Sequence, residues 1–443
     1  MEKLDNILKT YTVSSNELTV KNKLLGAGFV FVDKNGIIYE GPSGRLAFAP
    51  GAAPFTTRSL VWLASMTKLP TAVAALQLVE RGLLTLDQDL RPLQPELAAL
   101  EILRGFDEGD GKPILEPNTR PITLHHLLTH TLGLAMDLPV PDLMRWSRAV
   151  GRTAVNLDWS RAGMTTPLSF APGEGWVYGM AYDWAGAVLE TLTEESLGRW
   201  MQDRIFAPLG MERTGFWPER ILGSHKNGSS NEEEEKREEG QEDRLLEFAF
   251  SAEDGITGAR PYPDAELRPG TSFLRTEHEM ESGGAGLFST PHDYGLCLSG
   301  LLRSSSSPNH QEQEQERLLL KPQTLTQLLT PQLTPPQRAQ LACTMSAFHT
   351  GFGPERERPA RSRSGRRGES GRRAGEAAGR QHDVERHEQR AVVGRPGDGH
   401  RGRHVHGRLP HGNVVVNRMW DELERAVYGD LLPALKKKGE EKQ

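Results

Sequence analysis

The chain has 443 residues, 37% hydrophobic and 25% charged, the balance of an ordinary globular protein long enough for two domains. A net charge of −6 gives no indication of a nucleic-acid or membrane partner, and two cysteines exclude a disulfide framework and fit a reducing compartment. Because the N-terminus lacks the apolar stretch of a signal peptide, and no apolar run is long enough to cross a bilayer, we expect a cytoplasmic protein.

The N-terminal part begins with a predicted helix over residues 5–22, followed by two apolar runs at 26–32 and 36–40. The runs are joined by Asp33-Lys34-Asn35-Gly36, whose Asn-Gly pair favours the positive φ angles of a tight turn. This pattern predicts a β-hairpin.

A strongly apolar stretch, SMTKLPTAVAALQLVERGLL, follows from Ser65 with helical spacing and is closed by Gly82. Further helices are predicted over 123–131, 179–192 and 196–206. Near the C-terminus, PHGNVVVNRMWDELERAVYGDLLPALKKK predicts a short apolar strand, an amphipathic helix and a basic tail at the helix end.

Two strands, a series of helices and a returning strand and helix together predict an α/β sandwich. Its antiparallel sheet is expected to be flanked by the terminal helices and the Ser65 helix. We assign residues 1–85 and 285–443 to this sheet domain and 86–284 to an inserted, mostly helical domain. The acidic segment 224–243 has no aliphatic residue and is expected to be a disordered insert, and 303–317 is a second polar insert.

The first candidate for chemistry is Ser65-Met66-Thr67-Lys68, an S-x-x-K motif at a predicted helix start. Residues three apart lie on one helix face, so the Lys68 amine can reach the Ser65 hydroxyl and take its proton where the neutral amine is favoured. The free N–H groups of a helix start favour the oxyanion that forms when the serine attacks a carbonyl. A capping serine followed by a surface lysine would give the same letters.

Longer segments give this motif a context. RSLVWLASMTKLPTAVAALQLVERGLLTLDQDL resembles the nucleophile helix of the group that contains class C β-lactamases, family VIII esterases and fungal transesterases. The resemblance covers about 25–222, 244–302 and 412–430, and its five ordered matches are highly specific. The other four segments similar to family signatures are ITLHHLLTHTLGL, FAPGEGWVYGMAYDWAGAVLE, IFAPLGMERTGFW and GGAGLFSTPHDYGLCLSGLL.

The resemblance implies a β-lactamase/transpeptidase-like fold and two-step acyl transfer that needs neither a metal nor an organic cofactor. Ser65 would be the acylated nucleophile and Lys68 the residue that helps to deprotonate it. Tyr178 stands where the family has the tyrosine of a Y-x-N element, and its phenol would share the base work and return a proton to the leaving group. A core tyrosine with a satisfied hydroxyl is the alternative.

One departure from the family pattern lies two residues after Tyr178, where β-lactamases have asparagine and this chain has Met180. That asparagine contacts the substrate's amide, and methionine cannot replace its hydrogen bonds. We therefore expect an ester, thioester or amide substrate and favour an esterase or transesterase over a β-lactamase. The alternative is a catalytically impaired β-lactamase-like binding protein, and the oligomeric state stays open.

Other motifs suggest metal or RNA binding, and we favour neither. His126 and His130 are four apart, but Leu127 stands where an H-E-x-x-H site has glutamate, so we expect them to pack and form a turn. The segments DGHRGRHVHGRLPHG and RPARSRSGRRGESGRRAGEAAGR are His-rich and Arg-Gly-rich. The expected partner is a small acyl substrate, without a nucleic acid, a membrane or a metal.

Family members carry a third element, K-T-G, H-x-G or W-x-G, on a strand near the C-terminus that lines the acyl pocket and supplies the second oxyanion-binding N–H. We interpret it as missing here, because a block rich in Arg, Gly and His, too poor in large apolar residues for a core, occupies 354–408. Synonymous codons for 381–402, read one base later, encode SMTWSGMNNARWWVDRETGIA, which contains a W-x-G triplet. Residues 354–409 are therefore predicted to be translated out of frame, or to be disordered.

Reading the transcript across codons 350–415 tests this interpretation. We expect a one-base offset that opens before the block and closes near Pro410, because the segment after it again has the pattern of folded protein. Nucleotides that do not permit the shifted reading would rule the interpretation out.

Overall fold

The computed structural model contains a β-hairpin formed by strands β1 (Gly26–Asp33) and β2 (Gly36–Gly44). In the turn, the Asp33 carboxylate accepts hydrogen bonds from the N–H groups of Asn35 at 2.7 Å and Gly36 at 3.1 Å, and Gly36 has a φ of 145°. The predicted hairpin is confirmed. The structure describes residues 1–18, 20, 22–137, 140–223, 245–247, 249–251, 259–261, 278–305, 318–350, 391–393, 400–406, 408–409 and 414–440.

The hairpin belongs to a four-stranded antiparallel sheet in the order β2-β1-β10-β9, completed by β9 (Ala391–Val393) and β10 (His400–His406). Strand β10 pairs with β1 from Ala27 opposite His406 to Asp33 opposite His400. Both strands lie within the block predicted to be out of frame or disordered, and the rest of that block, apart from residues 408–409, lies outside the described residues. Main-chain pairing needs no particular side chains, so a strand can form where the residue types do not indicate one.

The terminal helices cover one face of the sheet. Helix α1 (Glu2–Tyr11) and helix α14 (Val414–Ala426) pack together and bury an apolar cluster against β1. Phe29 of β1 meets Trp420 of α14 with ring centroids 6.2 Å apart. The cluster includes Leu4, Leu8, Phe29, Phe31, Val415, Val416, Met419, Trp420 and Leu423.

Two predictions at the chain termini are wrong. The first helix ends at Tyr11 rather than at residue 22, because Thr12 has extended φ and ψ angles and bridges Leu24 in a parallel pair. The valines that follow Asn413 form the first turn of α14 rather than a strand. Their β-branched side chains favour a strand locally, but Val415, Val416 and Met419 continue the buried stripe of the helix.

The opposite face of the sheet is covered by α11 (Pro291–Arg303), beyond which lies α2 (Lys68–Glu80). Helix α2 is buried over Pro70–Leu78, and α7 (Ala181–Thr193) packs against it. One apolar core therefore extends from Val30 and Val32 of β1 through α2 to helices of the predicted insertion. The division of the chain at residues 85 and 285 stays a prediction.

Helices are found at each of the three internal segments predicted to be helical, and each begins one or two residues later than expected; the first also ends at Leu128 rather than at residue 131. No helix among the described residues combines the length and apolarity that crossing a membrane requires. The other elements are β3 (Val61–Trp62), α3 (Pro95–Ala98), β4 (Glu101–Phe106), β5 (Pro113–Pro117), α4 (Leu124–Leu128), α5 (Pro141–Ala149), α6 (Arg161–Met164), α8 (Leu197–Met201), α9 (Ala207–Leu209), α10 (Pro218–Gly223), β6 (Ala249–Ser251), β7 (Ala259–Pro261), β8 (Phe288–Ser289), α12 (Pro322–Leu329), α13 (Pro335–Thr350), β11 (Arg408–Leu409) and α15 (Leu432–Glu440).

Candidate active site

Ser65 stands in a tight turn between a strand and a helix. Strand β3 pairs with β8, and the Leu63 N–H donates to the Leu287 carbonyl at 2.8 Å, which ties down the residues before the serine. Ala64 then has a φ of +47°, a region that residues with a side chain rarely adopt. The turn Ala64–Thr67 follows and leads into α2, so the half-buried Ser65 lies at the start of that helix, as predicted.

The Lys68 side chain returns to Ser65 across one turn. Its Nζ donates to Ser65 Oγ at 3.0 Å, to the Tyr178 hydroxyl at 2.5 Å and to the Gly284 carbonyl at 2.9 Å. Nζ also lies 4.5 Å from the centroid of the Tyr178 ring. The alternative of a surface lysine after a capping serine therefore does not describe this motif.

Tyr178 completes a triangle of polar atoms, since its hydroxyl lies 2.5 Å from Ser65 Oγ. The backbone around it is held on both sides: the Val177 N–H donates to the His130 carbonyl, and the Tyr178 carbonyl accepts from Met136 N–H. A Cβ on Gly179 would lie 2.1 Å from the Leu134 carbonyl oxygen, so the chain can pass here only with glycine. The structure thus brings all three predicted site residues together.

His130 lies beside this triangle without joining it. Its ring centroid is 4.7 Å from that of Tyr178 and 5.2 Å from that of Tyr182, and its backbone is left-handed with a φ of 57°. Burial, helped by the positive charge of Lys68, holds the pKa of the imidazole well below its ordinary value. A neutral ring packed in a turn agrees with the packing role expected for it.

The other predicted metal candidate, His126, has a different task. It belongs to the cap of α4, where its N–H donates to Thr123 Oγ1 at 3.2 Å and its Nδ1 accepts from the Thr123 N–H at 3.4 Å. Within the described ranges, no three His, Cys, Asp or Glu side chains are grouped as a metal site would need. Met180, where β-lactamases have asparagine, is buried in the main core with 8% exposure.

Sequence reasoning missed the Gly284 carbonyl and the buried Asp183 beneath it. Burial raises the pKa of the Asp183 carboxyl. A hydrogen bond from Ser282 and the charge of Lys68 act to lower this pKa, but burial is the larger effect. Both residues stand in segments that resemble family signatures, so the segments were found but not the residues. The interpretation that the third element is missing stays a prediction; β10, which falls within the block in question, carries the letters H-x-G at His400-Arg401-Gly402.

The comparisons with known proteins agree with this geometry. A protein-family model described as Beta-lactamase matches residues 14–354. The lovastatin esterase of Penicillium rubens is 33% identical over 341 residues, which are 75% of this chain and 76% of that protein. The monacolin J acid methylbutanoyltransferase of Aspergillus terreus is 32% identical over 300 residues, 66% of this chain and 62% of the transferase.

Among solved structures, unliganded simvastatin synthase from Aspergillus terreus, a selenomethionyl derivative, has a TM-score of 0.70 at 22% identity and covers 96% of this chain and 97% of that one. This likeness confirms the predicted β-lactamase/transpeptidase-like fold. The chain belongs to the β-lactamase family. Its curated relatives include an esterase and acyltransferases, so the predicted class, a serine hydrolase or acyltransferase, is confirmed.

The neutral state of His130 predicts a pH effect on stability. The pKa of His130 is lower in the folded chain than in the unfolded chain. As the pH falls through the ordinary value of 6.5, the imidazole therefore takes up a proton in the unfolded chain but not in the folded one, and the folded state loses stability. We expect His130→Asn, which tolerates left-handed backbone, to remove about 1.4 kcal/mol of the stability lost between about pH 7.5 and about pH 5.5. Urea unfolding at both pH values measures this loss.

The control is Ser305→Ala at an exposed position, which leaves every histidine in place and should keep the whole wild-type loss. An equally large loss in His130→Asn would contradict a neutral His130.

Proposed function

We propose that this protein is a serine esterase or acyltransferase whose nucleophile is Ser65. The observation that carries the proposal is the triangle of Ser65 Oγ, Lys68 Nζ and Tyr178 Oη, in which each pair of atoms lies within 3.0 Å. A serine hydroxyl attacks a carbonyl only when a base removes its proton, and two such groups stand within reach.

Acylation proceeds through a proton relay in this triangle. The reaction starts from the form of the enzyme in which Lys68 has given up one proton to solvent. The Ser65 oxygen attacks the substrate carbonyl while its proton passes to the Tyr178 oxygen, and the phenolic proton of Tyr178 passes to this neutral Lys68 amine. The lysine ends as an ammonium, whose three protons match the three acceptors around Nζ. The Ser65 N–H at the start of the helical turn stabilises the oxyanion.

The second half of the reaction reverses the relay. When the tetrahedral intermediate collapses, Tyr178 gives its proton to the departing alcohol or thiol and recovers one from Lys68. The acyl group is then on Ser65 Oγ. A water molecule or an alcohol enters at the place the leaving group vacated, attacks the acyl carbon and loses its proton to Tyr178. The bond from the acyl carbon to Ser65 Oγ then breaks, Tyr178 returns a proton to that oxygen, and the acyl group leaves as an acid or a new ester.

The surroundings of Tyr178 favour an apolar ester or thioester over a β-lactam. Trp176, Leu341 and Met345 form a separate apolar cluster, and Tyr178 packs against it. Met180 offers no hydrogen bond to a substrate amide. The esterase and the transferase above carry lovastatin and monacolin J acid in their names, and we propose a comparable substrate here, an ester or activated acyl group of a secondary metabolite.

The domain assignment and the compartment belong to the same proposal. Ser65 comes from the predicted sheet domain and Tyr178 from the predicted insertion, so we propose that the site lies where the two meet. Cys297 and Cys343 are not joined in a disulfide, and a chain with only these two cysteines suits a reducing compartment, so we propose a cytoplasmic location.

A fluorophosphonate probe tests the nucleophile. We expect it to label the wild type and to leave Ser65→Ala unlabelled, because the probe is captured by the activated hydroxyl. Tyr178→Phe removes the first proton acceptor and should slow the labelling by about a hundredfold or more. Peptide mapping by mass spectrometry locates the adduct and measures its rate.

The surface variant Ser305→Ala serves as the control and should be labelled at the wild-type rate. A folded wild type that takes no label would overturn the proposal and favour the catalytically impaired binding protein.

The identity of the acyl acceptor, water or an alcohol, is tested separately by the ratio of new ester to free acid among the products. We expect a p-nitrophenyl ester with an apolar acyl chain to yield a new ester when a bulky secondary alcohol is present, because an apolar wall beside Tyr178 favours such an alcohol over water. Product analysis by mass spectrometry gives the ratio of new ester to free acid. A ratio that does not rise with alcohol concentration contradicts transfer and leaves hydrolysis.

A further inference from the structure

A buried carboxyl group lies directly beneath the proposed catalytic triangle. Asp183 is in the first turn of α7, five residues after Tyr178, and its side chain is 2% exposed. Its Oδ1 accepts a hydrogen bond from Ser282 Oγ at 2.5 Å and another from the Gly284 N–H at 3.3 Å. One oxygen of Asp183 therefore ties down both ends of the short segment 282–284.

That segment carries the third acceptor of Lys68. The Gly284 carbonyl accepts from Lys68 Nζ at 2.9 Å, and the Gly283 carbonyl accepts from Thr71 Oγ1 at 2.8 Å, one turn further along α2. Asp183 thus acts on Lys68 through two hydrogen bonds in series, with the backbone of residue Gly284 between them. The N–H of Gly284 donates to the Asp183 carboxyl group, and the carbonyl of the same residue accepts from Lys68 Nζ.

The packing leaves this segment little freedom. A Cβ on Gly284 would lie 2.6 Å from Asp183 Oδ2, and a Cβ on Gly283 would lie 2.6 Å from the Tyr182 carbonyl oxygen. Glycine at both places lets the segment lie flat against the start of α7. On the far side, Trp62 Nε1 donates to the Ala285 carbonyl, which fixes the next residue to the strand before Ser65.

We propose that Asp183 is a positioning residue for the proton relay. It fixes the Gly284 carbonyl, and this carbonyl orients the Lys68 amine toward Ser65 and Tyr178. The inference rests on the proposed function and assigns Asp183 no contact with the substrate. Without the clamp, the 282–284 segment relaxes, Nζ loses one of its three acceptors and is no longer held against the Ser65 and Tyr178 oxygens.

Three variants separate the parts of this arrangement. Asp183→Ala removes the oxygen that accepts both hydrogen bonds and should lower the rate of Ser65 labelling, and kcat for a p-nitrophenyl ester, by about a hundredfold with KM little changed. Asp183→Asn keeps an oxygen in the place of Oδ1 and should recover most of the rate. Gly284→Ala keeps the carboxyl but pushes it away, and should resemble Asp183→Ala.

Asp293→Asn is the matched control, because Asp293 is also a buried carboxyl in the first turn of a helix and ties down Arg213 and Thr214 instead. Thermal unfolding of each variant shows whether it is folded at the assay temperature. We expect Asp293→Asn to lose stability with an unchanged labelling rate.

The outcomes distinguish this inference from the proposed function. A labelled wild type together with a folded Asp183→Ala or Gly284→Ala at the wild-type rate overturns the role of Asp183 and leaves Ser65 as the nucleophile. Where Asp183→Ala does not fold, Asp183→Asn and Gly284→Ala decide, and a failure of Gly284→Ala to slow labelling overturns the role. A wild type that takes no label overturns both.

Discussion

The hydrogen bonding of Lys68 Nζ is the interaction on which the site depends. Its three acceptors, Ser65, Tyr178 and Gly284, come from segments separated by more than a hundred residues along the chain, with sequence distances of 110 and 216 residues from Lys68 to the last two. A half-buried amine is tolerated only where its hydrogen bonds are satisfied. The same three hydrogen bonds that satisfy the lysine therefore also bring together the turn at Ser65, the residues around Tyr178 and the segment 282–284.

Some neighbours of Lys68 touch the reacting atoms. Others do not touch them and instead hold the first set of residues in place. His130 lies against the rings of Tyr178 and Tyr182 and stays neutral, so it adds no second positive charge next to the lysine. Asp183 lies beneath the glycine segment. A polar group buried this deeply costs free energy when it lacks a hydrogen-bond partner. The surrounding packing therefore keeps these groups in their hydrogen-bonded positions.

Local features of the fold could be predicted from the sequence, since they depend on neighbours along the chain. Asn35-Gly36 specifies the hairpin turn, and the spacing from Ser65 to Lys68 gives the one contact of the site that a helix period determines. Tyr178 required the family resemblance. Gly284 acts through a backbone carbonyl, which no side-chain motif marks, and Asp183 contacts residues about a hundred positions away. The valines of α14 were misread for the reverse reason: their local preference for a strand yields to burial against the sheet.

Strained backbone is also found next to the triangle of Ser65, Lys68 and Tyr178. Among the described residues, five other than glycine have a positive φ, and two of them, Ala64 and His130, flank the triangle. Such conformations cost about 1–3 kcal/mol each and persist only where the surroundings enforce them. Ala64 is enforced by the β3–β8 pairing before it and helix α2 after it, and His130 by the rings packed on its side chain. The apolar core that joins the sheet to the helical region therefore supplies the rigidity that keeps Ser65 and Tyr178 within hydrogen-bonding distance, which is why a site of so few residues draws on so much of the fold.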